Sequence, residues 1–406
     1  MHKQDDPIDL PLSGMRVLDL STVIFGPYAS MTLADYGAEV IKVESPQGDP
    51  TRYIGPADEA GMAAIFLGVN RNKKSVVLDL KTRHGLDALH ALIDTADILI
   101  HNIRPQKLPA LGLDAEPLLQ RNSRLIHVSL NGFGKNGAYA GQPAYDDIVQ
   151  GLSGASALMQ GQTGAPGYLP MVMADKIGAL TAVHAILAAV MRRERTGRGQ
   201  IVEVPLFEAM TSCVLAEHYF GGHLPQSSHP KGYSRLLSSD RRPFPTRDGY
   251  VCMMPYSDAD WQRFFTNSGF PEHAQDPRFQ SLRLRTQNTD ALYSVAGEIL
   301  KTRETAYWLQ NLPAWDIPAS RVNALDDLES DPHLASVGFF QDIPDGNNGV
   351  YRYPRSPMHI EGMHVPLARP PKLGEHTEEL LRTTRLSEAL ILENSVTLPT
   401  NHNNRT

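Results

Sequence analysis

Arg16-Val-Leu-Asp-Leu-Ser-Thr-Val-Ile-Phe-Gly-Pro-Tyr-Ala-Ser-Met-Thr-Leu-Ala-Asp-Tyr-Gly-Ala-Glu-Val-Ile-Lys-Val-Glu44 decides the fold. Its first five residues form a short apolar run that reads as a strand. Pro27 has a fixed φ and no N–H, which suits the first turn of a helix, and Gly37 ends that helix. Ala38 to Glu44 reads as a second strand. Strand, helix, strand is a βαβ unit, whose crossover makes the two strands parallel. The pattern continues outward from there. A loop rich in Pro, Gly and Asp (Ser45 to Gly61) leads through a short apolar helix and the polar turn Asn70 to Ser75 into the strand Val76 to Leu80. Thr82 caps a helix with Leu86, Leu89 and Ile93 on one face. Further strands read at Asp97 to Asn102, Arg124 to Leu130 and Gln200 to Val204. Short apolar strands separated by helices imply a parallel α/β sheet covered on both faces, with ligands beyond the carboxyl ends of the strands. The turns after Leu20, Asn102 and Leu130 lie at such ends.

The alternation stops after the helix that Pro205 opens. The reading places a large Rossmann-like domain at 1–215, completed by about 350–406, then a linker at 216–248. A smaller mixed α+β domain spans 249–330, and a Pro- and Gly-rich return linker spans 331–371. The final polar stretch, Asn401 to Thr406, reads as disordered. With 406 residues the chain has room for two sizeable cores, on a prior of about 100–200 residues each. A formal net charge of −7 argues against general nucleic-acid affinity. No continuous apolar run spans a bilayer and no apolar leader follows Met1, so no membrane partner is expected. Two cysteines, Cys213 and Cys252, make no disulfide framework, and a reducing cytoplasm suits them.

Leu169-Pro-Met-Val-Met-Ala-Asp-Lys-Ile-Gly178 holds the carboxylate of most interest. After Asp175, a stripe of Ile177, Leu180, Val183, His184, Leu187, Val190 and Met191 reads as a helix ending at Gly197. Asp175 then stands at the N-cap, where free amides and the helix dipole would keep it ionised. Capping alone is one reading of it. Gly132-Phe-Gly-Lys-Asn-Gly137 matches a dinucleotide-binding string, but a turn-prone stretch follows where a helix is required. Arg71, Lys73 and Lys74, with Lys42, Arg52 and Arg104 at other junctions, are either solvated surface charges or partners for a phosphorylated ligand such as coenzyme A (CoA). The histidines and cysteines lack metal-ligand spacing, so no metal is expected, and no serine-hydrolase elbow appears. The nucleophile candidates left are carboxylates, which need an electrophile as reactive as a thioester.

Several stretches together resemble the class III CoA-transferases, the formyl-CoA transferase and carnitine CoA-transferase family. They are Pro11 to Leu20, Gly26-Pro27, Leu33 to Glu44, Gly48-Asp49, Asn70 to Lys74, Asn102, Gly132 to Gly134, Pro143 to Asp146 and Arg195 to Gln200, in order. Weaker likeness runs on through Pro243 to Gly249, Trp261, Ile317-Pro318 and Leu373 to Thr377. The resemblance implies an interlocked homodimer that transfers CoA from an acyl-CoA to a free carboxylic acid. No cofactor is held permanently, and CoA enters as substrate. It implies that Asp175 is the catalytic nucleophile. It also implies that CoA lies across Thr22, Val23, Ile24 and Phe25, Asn70, Asn72, Lys73 and Lys74, Asn102, Ile103 and Arg104, and Gly132, Gly134 and Tyr145, with Lys73 and Lys74 on its phosphates. Some members carry Gln, Arg and Arg where this chain has Ile24, Ser45 and Ala110, and formyl-CoA transferase has a glycine run absent here. Those departures argue against a formyl or oxalyl acid. The α-methylacyl-CoA racemases share the fold, and Tyr145 stands where their motif carries a His. A phenol with a pKa near 10 is a poor base, which leaves racemization as the alternative reading.

Overall fold

The computed structural model describes residues 10–226, 228–345, 349–363, 365 and 367–395; the stretch Asn401 to Thr406 falls outside them. Six parallel strands form the main sheet: β1 (Arg16–Asp19), β2 (Glu39–Glu44), β3 (Lys73–Val77), β4 (Ile98–His101), β5 (Ile126–Asn131) and β6 (Gln200–Pro205). Their order is β3-β2-β1-β4-β5-β6, in register Leu18–Ile41, Leu18–Leu99 and Leu99–His127. This is a doubly wound sheet. The chain runs outward from β1 to β3, then crosses back to continue from β4, so the connections that leave β1 and β4 run in opposite directions and form a crevice beyond the carboxyl ends.

Successive residues of each strand face opposite sides. Leu18, Ile41, Val76 and Leu99 share a buried cluster with Ala88, Leu89 and Leu92 of the Arg83–Ile93 helix, and with Leu380, Leu381 and Ile391 from the end of the chain. The Met173–Thr196 helix packs against the Phe25–Asp35 helix and against β5 and β6. By length and composition it is apolar enough to cross a membrane, but Ala174, Gly178, Ala179, Ala182, Val183, Ile186 and Ala189 are buried inside the protein. Arg193 near its end is buried too, and is neutralised by Asp97 at 2.9 Å.

Two compact units divide the chain. One takes its described residues from 1–149, 172–210 and 336–406, the other from 150–171 and 211–335. The span expected as one domain, 1–215, is therefore interrupted at 150–171. The expected return linker holds structure of its own, an antiparallel pair Phe340–Pro344 and Val350–Pro354 within the sheet-bearing unit. The second unit carries a three-stranded antiparallel sheet, Phe244–Pro245, Tyr250–Met253 and Ala319–Arg321. Its core is aromatic, built on Trp261, Phe264, Phe265, Phe279 and Trp308.

The outer edge of β3 is closed from far along the chain. His376 donates its N–H to the Ser75 carbonyl at 3.0 Å, Ser75 donates to His376 Nδ1 at 3.3 Å, and Val77 donates to Thr377 Oγ1 at 3.0 Å.

Candidate active site

The loop after β1, Ser21 to Phe25, forms the floor of the crevice and is held from both sides. Asn102, just past β4, accepts the Thr22 N–H on Oδ1 at 3.2 Å and donates Nδ2 to the Thr22 carbonyl at 3.0 Å. From the β2 side, Lys42 donates Nζ to the Ser21 carbonyl at 2.8 Å, and Asp49 accepts the Val23 N–H at 3.2 Å. Lys42 and Asp49 pair with each other at 2.9 Å, both side chains fully buried. Burial opposes both charges, but each outweighs it for the other. Lys42 is raised by Asp19 and Asp49, and Asp49 is lowered by Lys42. The clamp explains why a β-branched residue sits at a φ of 71° in Val23, a conformation that costs about 1–3 kcal/mol unless its surroundings impose it. Beyond it the helix Phe25–Asp35 opens with amides that have no intrahelical partner, and Pro27 contributes none.

Opposite this loop, Leu130 to Phe133 leave β5. Gly132 is required there, since a side chain would come within 2.5 Å of Ala144 Cβ. Together with Arg104, Pro105, Gly141 to Tyr145 and Leu206 these residues enclose a cavity of about 300 Å³, and Asp175 lies in its wall. Asp175 is not the N-cap. The helix starts at Met173 with Val172 before it, so Asp175 is the third helical residue. The capping acceptor is Asp146, whose Oδ1 takes the Asp175 N–H at 3.0 Å. Among the described residues nothing donates to the Asp175 carboxylate in return. Burial first, and then repulsion by Asp146, push its pKa up to about 7. The expectation of a fully ionised cap is thus corrected: partial enclosure and a second carboxylate outweigh the helix dipole, which is worth about 0.3–1 kcal/mol at an exposed site. A carboxyl group at this pKa is half ionised at neutral pH and, once ionised, is a stronger nucleophile than an ordinary aspartate.

Of the residues expected at the site, Thr22, Val23, Ile24, Phe25, Asn102, Arg104, Gly132 and Tyr145 line this cavity with Asp175. Ile103 does not. It lines a neighbouring cavity of about 250 Å³ with Thr22, Ser45 to Asp49 and Leu78 to Lys81, at the ends of β1, β2 and β3. Gly134 is drawn aside by Glu208, which accepts its N–H at 3.0 Å. Asn70, Asn72, Lys73 and Lys74 lie elsewhere. Strand β3 begins at Lys73, three residues before the expected Val76, which puts these residues at the amino end of the sheet. Lys73 is buried, donating to Asn70 Oδ1 and the Pro27 carbonyl at 2.8 Å and facing Asp19 at 3.3 Å. Lys74 points the other way, to Glu39 and Glu379. Asn72 bonds Asp35 and the Ala368 N–H. Phosphates at the crevice would meet Arg104 and Lys81 instead, both exposed. Lys81 directly follows the expected strand Val76 to Leu80, at a carboxyl end, and that position is the signal in the sequence that points to it. The Gly132 to Gly137 string is followed by turns as far as Asp146, with no helix at its end to receive a pyrophosphate.

Residues 12–377 match the family model of CoA-transferase family III. The chain belongs to this family. It is 34% identical over 391 residues to the succinate–glutarate CoA-transferase of Agrobacterium fabrum, covering 91% of this chain and 95% of that one. It is 31% identical to the succinyl-CoA:mesaconate CoA-transferase of Haloarcula hispanica, covering 91% and 95%. The crystal structure of a CaiB/BaiF family protein from Brucella suis superposes with a TM-score of 0.78 at 32% identity, covering 92% of this chain and 99% of that one. The protein is therefore an enzyme of the CoA-transferase class, with CoA as co-substrate and acyl-CoA and carboxylic acid as substrate classes. These relatives do not favour the racemase alternative.

Proposed function

We propose that this family III CoA-transferase carries CoA between two dicarboxylic acids through covalent intermediates on Asp175. The observation that carries the reading is Asp175 itself, a carboxylate with a pKa near 7 in the wall of the switch-point cavity. Its oxygen attacks the thioester carbonyl, the C–S bond breaks, and CoA leaves as thiolate, giving a mixed anhydride with the enzyme. The thiolate attacks the aspartyl carbonyl of that anhydride, expelling the donor acid and leaving an aspartyl-CoA thioester. The acceptor carboxylate then attacks this thioester, and the thiolate released takes the acceptor acyl group. Asp175 returns as carboxylate, and no proton is gained or lost. Each tetrahedral oxyanion is stabilised by the Phe25 and Gly26 amides that begin the Phe25–Asp35 helix, which no side chain among the described residues caps. The nucleotide end of CoA occupies the second cavity near Lys81 and Arg104, and its pantetheine arm passes Thr22, which lines both cavities.

The choice of dicarboxylic acids rests on the named activities of the Agrobacterium and Haloarcula relatives. Two copies assemble as a dimer; exposed Leu180 (44%) and Met191 (68%) on the Met173–Thr196 helix support this. Free Cys213 and Cys252 support a cytoplasmic setting. The test is to mix the enzyme with succinyl-CoA, quench in acid and weigh the tryptic peptide ending at Lys176. An added succinyl or CoA mass on Asp175 is expected. An unmodified peptide during active turnover refutes the covalent route.

A further inference from the structure

The second unit holds a concentration of positive charge that the transfer reaction does not use. Arg235, Arg241 and Arg242 line one cavity of about 470 Å³, and its other walls are Phe244, Met253, Met254 and Tyr293, with Cys252 among them. In a chain of net charge −7, three guanidinium groups around one cavity is an arrangement that needs a counter-charge. The unit supplies little of it. Asp240 stands 3.7 Å from Arg242, a loose pair at the surface. Arg235 is half-buried, and its partners among the described residues are neutral: the Tyr233 and Tyr293 hydroxyls at 3.2 and 3.3 Å and the Met254 sulfur at 3.7 Å. The buried Arg285 nearby shows the contrast, because its guanidinium is neutralised by Asp258 at 2.6 Å. A guanidinium has five N–H donors in a planar fork that matches a carboxylate, and withdrawing it from water without an anion is costly.

We propose that this cavity is a binding site for a small aliphatic carboxylate, with Arg235 as the anchor. The fork takes the carboxylate, Arg241 and Arg242 add a positive rim, and the Phe244, Met253 and Met254 walls take the hydrocarbon body. That apolar wall is what separates a carboxylate with a chain from inorganic phosphate, which has no apolar part to bury. The volume falls within the range of small-molecule sites, about 300–1,000 Å³. The site is confined to the second unit and stands independently of the covalent route at Asp175.

The test uses the full-length protein without any acyl-CoA, so that no turnover occurs. Glutarate, butyrate and inorganic phosphate are titrated calorimetrically into wild type, Arg235→Gln, Arg241→Gln and Asp175→Asn. In parallel, alkylation of Cys252 is followed by peptide mass with Cys213 as the internal control. Glutarate and butyrate should bind wild type and slow alkylation of Cys252 but not of Cys213. Arg235→Gln should weaken both acids by about tenfold or more, the effect of losing a charge-assisted hydrogen bond, with Arg241→Gln weaker in the same direction. Asp175→Asn should leave one such site intact. Several results would overturn the proposal: acids that bind Arg235→Gln and Arg241→Gln as they bind wild type, acids that bind only where Asp175 is present, phosphate binding as tightly as butyrate, or no binding at all. Should Arg235→Gln fail to fold, the exposed Arg241→Gln and the Cys252 protection still decide it.

Discussion

The raised pKa of Asp175 moves the pH dependence of the rate to near neutrality and gives the stability a pH dependence opposite in sign to that of an aspartate whose pKa is lowered on folding. With a midpoint near 7, the ionised fraction is about 97% at pH 8.5 and about 3% at pH 5.5, so kcat/KM for acyl-CoA should fall about 30-fold across that interval. Asp146→Asn removes the neighbouring charge while keeping an oxygen for the Asp175 N–H, and should move the inflection to lower pH. The stability follows from linkage. The folded pKa lies above the unfolded value, so the stabilisation is fully present below the unfolded pKa and is lost as pH rises through about 7. Three units at 1.36 kcal/mol each set a ceiling of about 4 kcal/mol, which the helix amides reduce to roughly 2–4 kcal/mol. Asp175→Asn, which cannot ionise, should therefore match wild type at pH 4 and melt higher at pH 8. The gain should be at least about 4 °C, at 2–4 °C per kcal/mol for a domain of this size. The assays are succinyl-CoA-dependent formation of glutaryl-CoA at subsaturating donor, and thermal melts at the two pH values. A flat rate profile from pH 5.5 to 8.5, or coincident melts at pH 8, refutes the reasoning.

Asp49→Asn keeps an acceptor for the Val23 N–H but leaves Lys42 short of a buried partner; it should cost about 3 kcal/mol or more in a denaturant titration, and equal midpoints would remove the pair from the clamp. Lys81→Glu and Arg104→Glu should each raise KM for acyl-CoA by about fivefold at low salt, the worth of about 1 kcal/mol for an exposed ion pair, with the effect shrinking as salt is added. Lys74→Glu should leave that KM unchanged, and a rise equal to that of Lys81→Glu would return the phosphates to the other end of the sheet. Gly178→Ala puts a methyl group 2.5 Å from Leu206 Cδ1 and 2.9 Å from Phe25 Cε2, which should cost about 1–3 kcal/mol and lower kcat, since both neighbours line the cavity; unchanged kcat and melting would show that the helix yields freely.

What the sequence made legible was the alternation, because branched apolar runs separated by helical stretches have one parallel solution. β1, β2, β4 and β6 lie within a residue or two of where the pattern puts them. Two kinds of position were hidden. Lys73 and Lys74 begin a strand that looks, by composition, like a polar turn; the partners Asp19, Asn70 and the Pro27 carbonyl, distant in sequence or of unremarkable type, make a buried lysine tolerable. The Met173–Thr196 helix is apolar nearly all round, so its stripe has no clear phase. The face that packs is the one of Gly178, Ala179, Ala182 and Ala189, small enough for close approach, while the larger Leu180 and Met191 point outward. The contact with Asp146, which adds to the effect of burial on Asp175, spans 29 positions and no local periodicity reports it.

The hydrogen bonds from His376 and Thr377 to β3 join residues 300 and 301 positions apart. During translation β2 pairs with one side of β3 early, but the other side keeps bare N–H and C=O groups until the ribosome has passed residue 377. At about 5–20 residues per second that interval is about 15–60 s, long compared with the milliseconds in which strands find partners. A nascent chain in that state offers an open template to any other extended segment, including β3 of a neighbouring polypeptide on the same message. A version of the chain stopped before residue 374 would hold that template open permanently, and should be lost to aggregates although every residue of the crevice and Asp175 had been made.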